Sequence, residues 1–205
     1  SMLNMLYTTA GGGAVAAELD RLIALVERTG APDSLDAGVR ALTTALARDL
    51  GVSLEEIPER APSLARGAEV YAAQCASCHG ARGLGDGPAA VGLDPAPPNL
   101  TDAAALATVS PLDMYRRVTI GVVGTAMPAF EATLGTADRW AVAHYAASLH
   151  LPPAAGDVPA ALASYAATAS QTDSALAAAL GGSTSDPAVL ARIAAVRTAA
   201  GGGTA

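Results

Sequence analysis

The chain has 205 residues, a net charge of −7, and twelve basic residues that are all arginine. No clustered basic footprint of the kind nucleic-acid binding needs is present, and a docking face built from lysines is excluded. The apolar content is mostly alanine, and no uninterrupted apolar run reaches the roughly 18 residues that span a bilayer.

Residues 1–62 read as a helical N-terminal region. The spacing of Leu19, Leu22, Ile23 and Val26 predicts a helix over Ala14 to Arg28, stopped by Gly30. Ser34 is the expected N-cap of a second helix, with Leu42, Leu46 and Leu50 on one face and Gly51 as its stop. The two are expected to pair antiparallel before a linker bracketed by Pro58 and Pro62. No basic segment followed by an apolar one opens the chain, so an export signal is expected to have been removed. Ser1 before Met2 reads as a cloning remnant, with the natural chain expected to continue at either end.

Residues 63–152 differ in kind. Tyr71, Tyr115, Phe130, Trp140 and Tyr145 fall here, five of the seven aromatics, and large side chains gather where a specific core is built. Residues 153–205 return to alanine-rich helix or linker after Pro152-Pro153. Thr172 is placed to cap a helix ending before Gly181, and Asp186-Pro187 supplies a cap and an N1 proline for Ala188 to Ala199. No strand-period alternation is long enough to argue for a sheet, so the fold class expected is all-α.

The chemistry sits in Cys75-Ala76-Ser77-Cys78-His79, the haem-attachment pattern. Two thiols three residues apart on adjacent helical turns can each add to one vinyl group of the same porphyrin. The next residue then offers its imidazole to the iron, and its other ring nitrogen needs an acceptor to hold the ring. A zinc site would need four ligands, and there is no second cysteine pair. A thioredoxin-type dithiol would want a preceding strand, whereas Gly67, Tyr71, Cys75 and Cys78 share a helix face.

Met127, within Gly124-Thr125-Ala126-Met127-Pro128-Ala129-Phe130, is the expected sixth ligand. Its loop is stiff and non-helical, and a thioether on the iron favours the reduced state. Other readings stand beside it. Met127 could be core filler, Met114 is a rival in a predicted helix from Pro111 to Val118, and His144 or His150 would give bis-histidine ligation. Arg82, Tyr115, Arg116 and Arg117 are candidates to neutralise the haem propionates. A gas sensor or peroxidase would need an open sixth position, against which Met127 argues.

Together, Gly67 and Tyr71 before the motif, Pro98-Asn99-Leu100 after it, Met127-Pro128, and a last helix with Tyr145 resemble a class I cytochrome c over roughly residues 64–151. The resemblance implies an all-α fold around one covalent haem c, flanked by the N- and C-terminal alanine-rich helices. It also implies first and last helices crossing at Gly67, Tyr71 packing on Tyr145, and the Pro98 carbonyl accepting the ring proton of His79. Cofactor-binding residues are then Cys75, Cys78, His79, Pro98 and Met127, with His79 and Met127 on the iron.

The order Arg66-Gly67-Ala68, Gly85-Asp86-Gly87-Pro88, Gly124 to Pro128 and Asp138-Arg139-Trp140 narrows this. It is similar to the periplasmic cytochrome extension of bacterial high-affinity iron permeases. That implies a periplasmic electron-transfer protein rather than an enzyme, with a redox partner protein or iron ions as partners and a membrane permease domain in the full-length chain. The permease helices and their Arg-Glu-x-x-Glu motifs are absent here, and a generic carrier or a module of a dehydrogenase or oxidase is the alternative.

A segment of under a hundred residues with so few large side chains buries little apolar surface unaided, and a tethered porphyrin would complete its core. The Cys75→Ala/Cys78→Ala protein is therefore expected to be poorly folded. Circular dichroism reads this directly, and cooperative melting like that of the haem-loaded protein would refute it.

Overall fold

A computed structural model describes residues 13–28, 38–39, 41–42, 45–46 and 57–199. Among these, all regular structure is helical and no strand occurs. Residues 1–56 and 57–205 form separate compact units.

The first unit contains α1, Gly13–Glu27. Its packed face differs from the expected stripe: Ile23 and Val26 are exposed, whereas Val15 is buried. Leu22 and Leu25 instead approach Gly38, where a Cβ would stand only 3.1 and 3.3 Å from their Cδ1 atoms, closer than ordinary contact. Residues 38, 39, 41, 42, 45 and 46 are helical, as the second predicted helix requires. Gly30, the Ser34 cap, Leu50 and the Gly51 stop lie outside the described residues.

The second unit is organised by two helices. In α2, Leu64–Gln74, the Ser63 hydroxyl accepts from the Arg66 N–H at 3.2 Å, satisfying one of the open donors of the first turn. A one-turn helix, α3, follows at Ala76–His79. Asp102 caps the short α4, Ala103–Leu106, through two backbone N–H groups. A reciprocal Ser110–Asp113 capping box with Pro111 at N1 starts α5, Pro111–Ile120. The last helix of this group, α6, spans Thr136–Ser148.

Helices α2 and α6 cross at Gly67. A Cβ at this position would fall on the Ala141 carbonyl oxygen and 2.6 Å from the Tyr145 Cβ. Hydrogen is thus the only side chain that lets the two backbones meet. One helical turn on, the Tyr71 and Tyr145 rings pack with centroids 5.4 Å apart. The bidentate Arg66–Asp138 pair, with both contacts at 2.8 Å, joins the same two helices at the surface. Around the crossing lies an apolar core of Val70, Tyr71, Leu100, Leu106, Met114, Val118, Val142, Ala143 and Ala146.

The opposite face of α6 is covered as well. Beyond it lie α7, Tyr165–Thr168; α8, Asp173–Ala179; and α9, Pro187–Ala199. The Thr172 and Asp186 caps form as expected. Trp140 is 1 % exposed, stacked on Tyr115 at 4.2 Å and met edge-on by Tyr165. The Leu112 N–H donates to the Ala169 carbonyl at 3.0 Å and the Ser174 N–H to the Ala107 carbonyl at 2.8 Å. Buried Asp173 accepts from Arg197 at 2.7 Å and pairs with His150 at 2.7 Å. Arg197 also donates to the Thr168 and Gln171 carbonyls, so this buried charge pair is well hydrogen-bonded. Residues 153–199 are therefore packed onto the 63–152 segment rather than strung out behind it. Among the described residues no helix is long and apolar enough to cross a membrane.

Two predictions follow from this packing. Gly67→Ala must separate α2 from α6, an overpacking cost of roughly 2 kcal/mol. Urea denaturation should show the fall, and an unchanged midpoint would contradict the crossing. His144 is buried against the Tyr165 ring edge, and burial, assisted by nearby Arg197, lowers its pKa from 6.5 to about 4. The unfolded chain thus takes up this proton first on acidification, so stability is full above pH 6.5 and is lost progressively toward pH 4. The His144→Leu variant should flatten that part of the melting-temperature profile, and a slope equal to that of the native protein would count against it.

Candidate haem site

The attachment motif sits where α2 stops. Cys75 is the turn residue at this end, its backbone opened to φ −115°, ψ −33° within the right-handed region, and its N–H still donates to the Tyr71 carbonyl at 2.9 Å. Its carbonyl then accepts from both the Cys78 and His79 N–H groups, at 3.2 and 2.9 Å. The two cysteines therefore do not lie on one continuous helix, as the spacing suggests. A tight turn at Cys75 separates α2 from the single turn that carries Cys78 and His79. The Tyr71 hydroxyl, donating to the Gly80 carbonyl at 3.0 Å, fixes the far end of that turn.

Cys75 and Cys78 are free and half-buried. Burial, and then the neighbouring Cys78, pushes the Cys75 thiol up to about 11, so it is neutral at pH 7. That is opposite to the depressed pKa of a disulfide-exchange nucleophile. His79 is half-buried too, and burial lowers its pKa, partly opposed by the backbone carbonyl of Pro98. Its Nδ1 nonetheless lies buried without a hydrogen bond of regular geometry. The Pro98 carbonyl is thus close enough to act on the ring as a hydrogen-bond acceptor, although the contact falls short of regular geometry. A neutral imidazole suits a metal, and a buried second nitrogen beside a carbonyl is what a ligating histidine requires.

What brings Pro98 there is the wrapping of residues 80–87 around the motif. The Gly85 N–H donates to the His79 carbonyl at 2.8 Å and the Gly87 N–H to the Cys78 carbonyl at 3.1 Å. Gly85 has φ +77°, and a Cβ on it would fall on the Pro97 carbonyl. Glycine meets both demands at once: the left-handed backbone and the close approach of the Pro97-Pro98 segment.

Met127 is presented by the loop after α5. The Val122 N–H donates to the Met127 carbonyl at 3.2 Å, closing the loop on itself. Its far foot is tied back by Phe130 N–H to Val118 carbonyl at 3.0 Å and Glu131 N–H to Thr119 carbonyl at 3.2 Å. Buried Arg139 of α6 secures the following turn, donating to the Glu131 and Leu134 carbonyls and to the Tyr115 hydroxyl. Met127 and Cys75 both border the apolar core, with Phe130, Leu134 and Tyr145.

The other candidates fall elsewhere. Met114 is 7 % exposed inside the core. His144 and His150 are engaged by Tyr165 and Asp173 at the seam with the C-terminal helices. Tyr115 stacks on Trp140, Arg82 and Arg117 are exposed, and Arg116 is half-buried. Sequence reasoning missed Arg139 and Tyr165. Arg139 figured only within the Asp138-Arg139-Trp140 run and Tyr165 in no motif, and their roles depend on carbonyls and rings outside their own helical turns.

The residues present fit a covalently held haem: two thiols on one turn, an imidazole whose second nitrogen is buried beside a carbonyl, and a thioether on a self-closed loop. Among the described residues, no group of three or more His, Cys, Asp or Glu is placed to hold a bare metal ion.

The family comparison agrees. Residues 62–145, fewer than half of the chain, match the family model described as cytochrome C oxidase, cbb3-type, subunit III. Among solved structures the chain is similar to the reducing HAO-like protein complex of Kuenenia stuttgartiensis, with 31 % identity and a TM-score of 0.39. The match covers 57 % of this chain and 58 % of that one, so it spans a little over half of each. Over this segment the all-α fold is that of a cytochrome c domain with covalent haem c as its cofactor, and the match supports a role in electron transfer.

Proposed function

We propose that this domain is a single-haem electron carrier with histidine and methionine on the iron. Cys75 and Cys78 form the two thioethers, His79 supplies the nitrogen ligand and Met127 the sulfur. Pro98 accepts the proton on the other ring nitrogen of His79. Haem c bound there supplies a one-electron couple between ferric and ferrous iron. The protein's part is to hold ligands and exclude water. The carbonyl of Pro98 raises the basicity of His79 and fixes its ring, while the thioether of Met127 favours the ferrous state and raises the potential.

The observation that carries the reading is that Met127, distant in sequence from the motif, packs on the same apolar core as Cys75. The electron's partner is a second redox protein, and the domain works on the periplasmic side of the membrane. The resemblance to the cytochrome extension of iron permeases favours one such setting, in which electrons pass to or from iron during uptake by a permease in the same chain. The order of sequence motifs supports that setting; the matched family model points instead to a cbb3-type oxidase subunit.

Protein matured with a haem-attachment system should give the pyridine haemochrome spectrum of a two-thioether haem, with pigment that stays in the protein in acidic acetone. The Met127→Ala variant should lose the methionine-to-iron charge-transfer band and bind carbon monoxide when reduced. Colourless protein, or a band unaffected by the substitution, would overturn the assignment. Mixing with ferrous or ferric iron tests the uptake setting, which fails if the haem bands change in neither direction.

A further inference from the structure

We infer that Thr125 is a positioning residue for Met127, its hydroxyl acting as the clasp that keeps the methionine loop in its ligating shape. The inference rests on Met127 as the sixth ligand. The hydroxyl donates to the Val122 carbonyl at 2.8 Å and accepts from the Met127 N–H at 3.1 Å. It therefore bridges the same two residues that the Val122–Met127 backbone bond joins, and a third bond, Thr125 N–H to Val122 carbonyl at 3.2 Å, holds it in place.

Apart from the close approach of the Met127–Ala129 backbone to Gly121, where a Cβ would stand within 2.9 Å of it, the loop tip offers little else. Val123 is fully exposed, and a Cβ on Gly124 would meet nothing within 4 Å. Ala126, Pro128 and Ala129 are exposed as well. The two feet are anchored independently, by α5 backbone on one side and Arg139 on the other, so the loop stays attached if the clasp is lost. What changes is the tip: without the hydroxyl, the Met127 N–H loses its partner and the thioether is free to leave the iron.

A ligand on such a loop exchanges between bound and detached states, and a competitor binds only the detached one. Its apparent affinity therefore scales with the detached fraction. Removing a hydroxyl that makes two hydrogen bonds should raise that fraction about tenfold.

The experiment uses the haem-loaded ferric protein and free imidazole as the competing ligand, followed by loss of the methionine charge-transfer band. Thr125→Val, similar in shape but without the hydroxyl, should bind imidazole about tenfold more tightly than the unmodified protein. Thr125→Ser, which keeps the hydroxyl, should return the affinity to within about twofold. Equal affinity in Thr125→Val, or a weakened loop that Thr125→Ser does not rescue, overturns the clasp while leaving Met127 as ligand. A charge-transfer band that persists in Met127→Ala overturns the ligand assignment and the clasp with it.

Discussion

The close crossing of α2 and α6 at Gly67 is the constraint on which the rest of the second unit depends. Because the backbones touch there, the side chains one turn away on each helix, Tyr71 and Tyr145, are driven together. Tyr71 in turn reaches the Gly80 carbonyl, so the crossing is transmitted through one hydroxyl to the end of the haem-attachment turn. A change in the distance between these helices would move the motif relative to the core that Met127 borders. Packed interiors transmit displacement in this way because they contain little free volume to absorb it.

Helix α6 serves two neighbours. One face carries Ala141, Val142, Tyr145 and Ala146 toward α2 and the haem-side core. The other presents Trp140 and His144 to Tyr165. A helix buried on both sides has no polar stripe to orient it, and α6 is apolar or aromatic over most of its length. The C-terminal helices are therefore structural partners of the cytochrome domain, held by the buried His150–Asp173 pair and by backbone bonds to Ala107 and Leu112.

The site combines stiff and soft supports. The cysteines and His79 stand on a turn whose backbone is bonded on every side, and the glycine-rich segment wraps it closely. Met127 instead stands on a loop that is firmly footed but lightly held at its tip. This division suits an electron carrier. Under the proposed assignment, His79 would share the short segment that carries the two cysteines, while Met127 would depend on loop geometry for its hold on the iron.

Much of this was legible in the residues themselves. The Cys75-Cys78-His79 spacing states its chemistry because the reacting atoms must be a fixed distance apart along the chain. The caps at Thr172 and Asp186 are equally local, since each satisfies backbone groups within one helical turn. Other features were decided by tertiary structure. The α2 helix breaks at Cys75, where the spacing alone suggested continuity; Leu25 joins Leu22 beside Gly38 while Ile23 and Val26 stay exposed; and Tyr165 completes a core whose other aromatic members lie earlier in the chain. Arg139 and Thr125 act through carbonyls and N–H groups that no periodicity marks. Sequence determines what must be satisfied within a turn or a motif, whereas contacts between distant segments depend on which surfaces the chain brings together, and only the folded backbone specifies that.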